Sequence, residues 1–433
     1  MARKIALDVL LAILQNGQSW QEARKNLNTL KLSSSDYALV QQLCLHVLRH
    51  FYYFKKLLDS KLKKPLPKKS FDIELIIILG LAQIDLNFQA HALAFETVEL
   101  CKYIKADWAK GLANAIIRGY LRSNLPSRES FPDSIQYSCP TWLLKLIENQ
   151  YPNQYKNILT QYLTEPCLHL RFRSNLAYSI NDFLEKLKDQ NIPFNQENQS
   201  IQLLKPLPIK NIPGYTDQSF AVQDAGAQLA AELLDLSELS KQDAVLDACA
   251  APGGKTLHIL DLNSKPNIYA WDCNPERLTQ LKDNLSFPTP PSNLFISLED
   301  ASSEKVLSKY KNIQFSRILI DAPCSASGII RRQPDIKWNR TTEDIKKLQD
   351  LQLKILLNLW PLLKPNGILL YATCSILEEE NDQVISNFLK QKPQASILDL
   401  KPSLELNYLQ LKHGLQILPS EKSEGFYYCK IKK

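Results

Sequence analysis

Two cysteines, Cys324 in Asp321-Ala-Pro-Cys-Ser325 and Cys374 in Thr373-Cys-Ser375, each follow an apolar run of strand character, and Asp247-Ala-Cys-Ala-Ala-Pro-Gly-Gly-Lys-Thr256 stands upstream of both. A cysteine inside an apolar segment, such as Cys44, Cys101 or Cys429, packs as a small hydrophobe. A cysteine just past a strand, beside Pro or Ser, is instead placed to react. The chemistry that suits a pair of such thiols is methylation of a pyrimidine ring. C5 of cytosine is too poor a nucleophile to take a methyl group directly, but a thiolate added at C6 makes it enamine-like and able to attack a sulfonium methyl. Covalent catalysis thereby divides one hard step into easier ones. Asp321, near the base, could hydrogen-bond N3 and the exocyclic amine, after which a base removes the C5 proton and the thiolate leaves. The residues by themselves do not say which cysteine attacks and which helps release the product.

The upstream motif reads as a cofactor loop. Val245-Leu-Asp247 ends as a strand and Pro252-Gly-Gly254 turns into a helix, and ligands of open α/β sheets bind outside the carboxyl ends of the strands. Only 12 glycines occur in 433 residues, so the adjacent pair Gly253-Gly254 points to a close backbone approach to a ligand. Gly254-Lys-Thr256 imitates the end of a phosphate-binding P-loop, but Cys249 stands where that motif needs its first glycine, and G-x-G-x-x-G is absent. S-adenosylmethionine fits better. Asp272 closes Ile268-Tyr-Ala-Trp-Asp272 roughly 20 residues after the glycines, the spacing of a ribose-binding acid, and Asp300 follows the third strand, where it could contact the adenine amine.

Positioning these residues takes a doubly wound sheet. From Val222 onward short apolar runs (Ala244 to Leu246, Ile268 to Trp271, Leu294 to Leu298, Ile318 to Ile320, Ile368 to Tyr371) alternate with helical patterns. Arg317–Asp321 and Gly367–Ala372 are expected to be neighbouring strands about 4.8 Å apart, bringing both cysteines to one edge. Residues 1–125 carry apolar positions at three- and four-residue spacing, as in Leu39-Val40-Leu43-Val47-Leu48, which predicts a helical bundle. Ser33 with Asp36 marks a helix start, and the basic stretch Lys61-Leu-Lys-Lys-Pro-Leu-Pro-Lys-Lys69 must be a loop. Residues 126–215, entered through Pro126, Pro132 and Pro140, mix a helix at Trp142 with strand pieces such as Leu168–Arg173, predicting a small α+β subdomain. Residues 216–433 form the α/β unit that carries the chemistry.

Forty-five per cent apolar and 22% charged residues describe a soluble chain. No apolar run approaches the roughly 20 residues of a membrane span; the first fourteen residues, interrupted by Asp8, read as an amphipathic helix. Nine scattered cysteines and six histidines offer neither a disulfide framework nor a metal-ligand set, so a reduced, cytoplasmic, metal-free protein is expected, and a monomer. The net charge of +7 favours a polyanionic partner. Arg331-Arg332, Lys337 and Trp338, soon after Cys324, form a candidate loop for pairing with phosphates and stacking on a splayed base.

The motifs also carry resemblances. Ala94-Phe-Glu-Thr-Val-Glu-Leu-Cys-Lys102 followed by Gly111-Leu-Ala-Asn-Ala-Ile-Ile-Arg118 resembles the NusB antitermination family, which implies an all-α bundle that contacts RNA or a partner protein. The chain as a whole, from that bundle to Glu424-Gly-Phe-Tyr-Tyr428, resembles the ribosomal RNA small subunit methyltransferase B (RsmB, Sun or Fmu) family of RNA cytosine-C5 methyltransferases. That resemblance implies an α/β Rossmann-like S-adenosylmethionine-dependent domain acting on small-subunit ribosomal RNA before full assembly, with cytosine 967 of 16S rRNA as the family site. It implies Cys374 as the nucleophile at C6, Cys324 as the residue assisting release, and Asp321 as a contact to base and cofactor. Cys249, Ala250, Ala251, Pro252, Gly253, Gly254, Lys255, Asp272, Asp300 and Asp321 are the cofactor contacts it carries over. Gly226, where Ser or Ala is expected, and Ala326-Ser327, in place of the commoner Gly-Thr, depart from the pattern. A tRNA or large-subunit rRNA methyltransferase of the same chemistry is the alternative, and a non-catalytic RNA-binding scaffold is the alternative of another class.

Overall fold

The apolar spacing of the first 125 residues becomes six helices in the computed structural model, which describes residues 1–174, 179–285 and 291–433. They are α1 (Ala2–Leu14), α2 (Trp20–Thr29), α3 (Ser34–Lys61), α4 (Phe71–Asp85), α5 (Ala90–Tyr103) and α6 (Lys110–Ser123). Ser33 caps α3 by accepting from the Asp36 amide, and Ser19 with Glu22 forms a capping box on α2. α4 is buried from Ile73 to Gln83, the condition of a helix surrounded by others. The basic stretch after Lys61 leaves α3 and runs as a loop to Pro67, as its prolines require.

Three further helices, α7 (Asp133–Gln136), α8 (Thr141–Gln150) and α9 (Tyr155–Leu163), belong with this bundle: the first compact unit comprises residues 1–165 together with 330–340. This compact unit therefore runs some forty residues past the six helices that end near 125. The physical reason is that the exit is fastened to α3. The Tyr53 hydroxyl donates to Pro126 O at 2.5 Å, and the Tyr52 amide donates to Ser138 Oγ at 2.9 Å.

The segment 330–340 corrects the reading of Arg331, Lys337 and Trp338 as an RNA loop. Arg331 and Lys337 are each only 1% exposed. Lys337 Nζ donates to Arg49 O at 2.9 Å and Ser138 O at 2.8 Å, Trp338 Nε1 donates to Leu48 O at 3.1 Å, and Arg331 Nη1 donates to Gln161 Oε1 at 3.1 Å. The Trp338 ring stands edge-on to Phe51 and Tyr52, so it stacks within the protein. Basic heads with long apolar stems and an indole suit a packed strap as well as an RNA surface, and here main-chain carbonyls claim the donors of Lys337 and Trp338 and the Gln161 side chain that of Arg331.

The second unit comprises residues 166–329 and 341–433. It opens with a four-stranded antiparallel sheet of β1 (Leu168–Phe172), β2 (Phe194–Glu197), β3 (Ser200–Leu203) and β4 (Phe220–Val222) in the order β2-β3-β1-β4. Helix α10 (Ile180–Asp189) covers it, its Phe183 clustering with Phe172, Ile201 and Phe220. Then come β5 (Ala244–Ala248), β6 (Asn267–Asp272), β7 (Leu294–Leu298), β8 (Phe315–Asp321) and β9 (Leu363–Thr373), all parallel, in the order β7-β6-β5-β8-β9. The order reverses at β5, and the crevice at that switch point is where such sheets bind ligands. Helices α11 (Ala225–Glu232), α12 (Gly254–Leu262) and α13 (Pro275–Leu285) accompany these strands. Gly226 sits in α11, and the Phe426 ring occupies the space of the side chain it lacks.

Beyond β9 the sheet continues through four short strands, β10 (Ser396–Leu398), β11 (Tyr408–Gln410), β12 (Leu415–Ile417) and β13 (Phe426–Lys432), with β13 antiparallel to β9. Residues 427–432 of β13 pair with residues 373–368 of β9, so the strand that delivers Cys374 is central and both its neighbours fix its register. The register between β8 and β9 sets Asp321 opposite Ala372. The two cysteine loops consequently leave the sheet side by side.

Candidate active site

The cofactor loop is built from backbone geometry and one buried acid. Cys249 has φ +63° and Gly253 φ +104°; at the latter only glycine is at ease, and a Cβ there would lie 3.2 Å from Leu281. Asp247, fully buried, accepts from Thr256 Oγ1 at 2.6 Å, and burial first of all pushes its carboxyl up to about 7. It ties the strand end to the first turn of α12. From the small sheet, Arg171 and Arg173 grip Asp261 of the same helix at 2.7 and 3.0 Å.

Asp272 accepts from the Ala251 amide at 3.1 Å and the Asn274 amide at 3.0 Å. Four lone-pair positions on a carboxylate leave room for further donors. Asp300 uses one oxygen to accept from Ser302 N and Oγ at 2.9 and 2.7 Å. Cys249, Asp272, Asp300, Asp321, Cys324 and Cys374 all line one cavity of about 240 Å³. Pro252, Gly253 and Gly254 do not. They line a separate groove of about 510 Å³ with Arg173, Tyr215 and Asn284. Ala250 and Ala251 are buried, and Lys255 points its ammonium at Asp321, 2.6 Å away.

Cys324 Sγ and Cys374 Sγ are 3.4 Å apart. Their loops are pinned by a close approach at Gly328, whose amide donates to Cys374 O at 2.9 Å while its carbonyl accepts from Gly425 N at 2.9 Å. A Cβ on Gly328 would fall 2.2 Å from Gly425 O, so the chain packs backbone to backbone here. The Cys324 thiol holds its proton well above the ordinary range. Its hydrogen bond to Cys374 is the main cause, burial the second, with the Cys374 and Glu380 charges adding. Burial works against the charge of Lys255, but the neighbouring Asp321 carboxylate outweighs it and the lysine pKa rises; Cys374 lies within the field of that ammonium. The pair is therefore asymmetric in its surroundings: Cys324 lies in the field of Glu380, and Cys374 lies in that of the Lys255 ammonium.

Sequence reasoning missed Glu380. In Glu378-Glu379-Glu380 the run of acids reads as a solvated face, yet Glu380 is 0% exposed and accepts from Ser325 N, Ser325 Oγ and Ser375 Oγ at 2.7, 2.5 and 2.6 Å. The isolated signal was its place between two apolar pairs, Ile376-Leu377 and Val384-Ile385. Among the described residues no cluster of three metal-ligating side chains occurs, and no helix is long and apolar enough to cross a membrane.

A parallel sheet reversing at β5, with acids at successive strand ends around one cavity, defines a Rossmann-like methyltransferase, and the paired thiols are its distinguishing feature. Residues 234–432 match the family described as 16S rRNA methyltransferase RsmB/F, residues 1–122 the NusB family, and residues 139–210 the ferredoxin-like domain of RsmF/B-like methyltransferases. The chain is 35% identical to the ribosomal RNA small subunit methyltransferase B of Serratia proteamaculans, over 100% of its own length and 98% of that relative. It is 36% identical to the one from Yersinia enterocolitica over the same shares. The chain belongs to the RsmB family of 16S rRNA methyltransferases, whose methyl donor is S-adenosylmethionine. The fold agrees with solved structures: PH0851 at a TM-score of 0.78 and 18% identity, covering 99% of this chain and 98% of that one, and NSun6 from Pyrococcus horikoshii with SFG at 0.57 and 18%, covering 68% and 98%.

Proposed function

We propose that this protein methylates C5 of a cytosine in 16S rRNA, with cytosine 967 as the target, through a transient bond between Cys374 and C6 of the base. The observation that carries this reading is the pair of thiols 3.4 Å apart in the cavity that also holds Asp321. S-adenosylmethionine supplies a methyl group on a sulfonium, and the site suits it: Asp272 keeps acceptor positions for two ribose hydroxyls, and Asp300 and Cys249 border the same space. Cys374, 3.4 Å from Cys324 and near the Lys255 ammonium, is the sulfur that adds to C6. Asp321, oriented by Lys255, accepts from the exocyclic amine and, once the adduct has taken a proton from water at N3, from that N–H. Once the C5 proton has gone to a base, the Cys374–C6 bond breaks and Cys324, 3.4 Å away, hydrogen-bonds the departing sulfur.

A paired cytosine hides C6 inside the duplex stack, so the substrate is a loop nucleotide or one flipped out of its stack, in cytoplasmic rRNA before full assembly. The experiment is to incubate the Cys324→Ala and Cys374→Ala variants with unmodified 16S rRNA and S-adenosylmethionine. Cys324→Ala should accumulate a protein–RNA adduct that survives denaturing electrophoresis, and Cys374→Ala should form neither adduct nor product, a loss of about 10³-fold or more. Product from Cys374→Ala at the wild-type rate would refute the covalent reading. Methylation confined to tRNA or large-subunit rRNA would replace the substrate.

A further inference from the structure

We propose that Glu380 is a positioning residue that sets the distance between the two reacting thiols by clamping both of their loops to one carboxylate; the inference rests on the functional reading above. Cys324 lies three residues beyond the end of β8 and Cys374 one beyond β9, so strand pairing alone leaves the sulfur separation open. Glu380 closes that gap. Its Oε1 accepts from Ser325 N at 2.7 Å and Gln352 Nε2 at 3.2 Å, and its Oε2 accepts from Ser325 Oγ at 2.5 Å and Ser375 Oγ at 2.6 Å. Ser325 and Ser375 are the residues immediately after the two cysteines.

Four donors converge on two oxygens: the Ser325 and Gln352 N–H groups can only donate to Oε1, whereas the two hydroxyls on Oε2 could turn to accept, so an amide would remove the charge that draws the serine arms in and loosen them. The backbone holds the clamp still: Tyr371 donates to Glu380 O at 2.6 Å, and Asn381 donates to Ser375 O at 3.0 Å while accepting from Thr373 Oγ1 at 2.6 Å. Burying a carboxylate completely is costly; hydroxyls alone could have tied the loops together, as Ser327 Oγ and Ser375 Oγ do at 2.9 Å. The charge has a second use, because it adds to the forces that keep the Cys324 thiol protonated.

The test separates thiol spacing from catalysis. The full-length protein is treated with diamide, which removes two electrons and two protons from a pair of facing thiols, and the Cys324–Cys374 disulfide is followed by peptide mapping without any RNA present. In Glu380→Gln this disulfide should form about tenfold more slowly or worse than in the wild type, since an ångström of misplacement is enough for such losses. In the methylation assay the same variant should lose kcat by a similar factor, with KM for RNA and affinity for S-adenosylmethionine unchanged. A role confined to stability would lower Tm and leave the disulfide rate of the folded protein alone, and that result overturns the proposal. If Glu380→Gln does not fold, Ser375→Ala removes one arm of the clamp, and a wild-type disulfide rate there overturns it equally. Should the wild type methylate no RNA while Glu380→Gln still slows the disulfide, the functional reading fails and the clamp stands.

Discussion

Lys255, paired with Asp321, and Lys337 in the helical bundle are both largely withdrawn from water, with Lys255 side-chain exposure at 14% and Lys337 at 1% overall, yet they hold their protons oppositely. Lys255 has a carboxylate 2.6 Å away and stays a cation. Lys337 has the carbonyls of Arg49 and Ser138, and burial, against a smaller raising effect of Cys139, brings its pKa down to about 7. The partner, not the burial, decides what a buried lysine does: one is a fixed charge that orients Asp321 and acts on Cys374, the other a packing element that sheds its charge near neutrality.

The largest test of that contrast is Asp321→Asn. It removes the charged partner of Lys255 and the group proposed to hold the base, so methyl transfer should fall by about 10²–10³-fold in single-turnover assays. Retained activity would mean that Lys255 does not need its carboxylate. The second is Lys337→Met, which keeps the apolar stem, removes the charge and takes the donor from the Arg49 and Ser138 carbonyls; its signature is the pH dependence of stability, read by urea denaturation. The sign follows from linkage. The unfolded lysine binds a proton up to its ordinary 10.5 and the folded one only to about 7, so wild-type stability rises with pH across that window. In Lys337→Met the rise should be smaller, and an equal slope would contradict the assignment. The smallest effect is expected at half-buried Lys55, paired with Glu74 at 3.1 Å and Asp59 at 2.8 Å. Solvent screening there should hold Lys55→Met to less than about 1 kcal/mol, measured the same way.

The same contrast explains what could be read before the structure. The loops that carry chemistry announce themselves because each ends a strand whose apolar run is continuous, as at Ile318–Ile320 before Asp321 and Ile368–Tyr371 before Cys374. Their pairing across β8 and β9 followed from sheet topology. Ranking the thiols did not, because it depends on Lys255 and Glu380 arriving from elsewhere in the chain. Arg331, Lys337 and Trp338 misled because charge and aromatic content are identical in a packed strap and in an RNA platform; only the carbonyls of Leu48, Arg49 and Ser138 tell them apart. β11 and β12, three residues each, are too short to leave a periodic trace, and their existence rests on pairing through β13. Glu380 left only the trace of its apolar flanks for a related reason: its four donors come from Ser325, Gln352 and Ser375, and no local pattern records their convergence.

The central claim is a cytosine-C5 methyl transfer that needs Cys374, and its most direct measurement is the position of the label. Purified protein, unmodified 16S rRNA and S-adenosylmethionine carrying a labelled methyl group should give 5-methylcytosine at one nucleotide, with none from Cys374→Ala. Label on a base atom other than C5, or equal label from Cys374→Ala, would contradict the account.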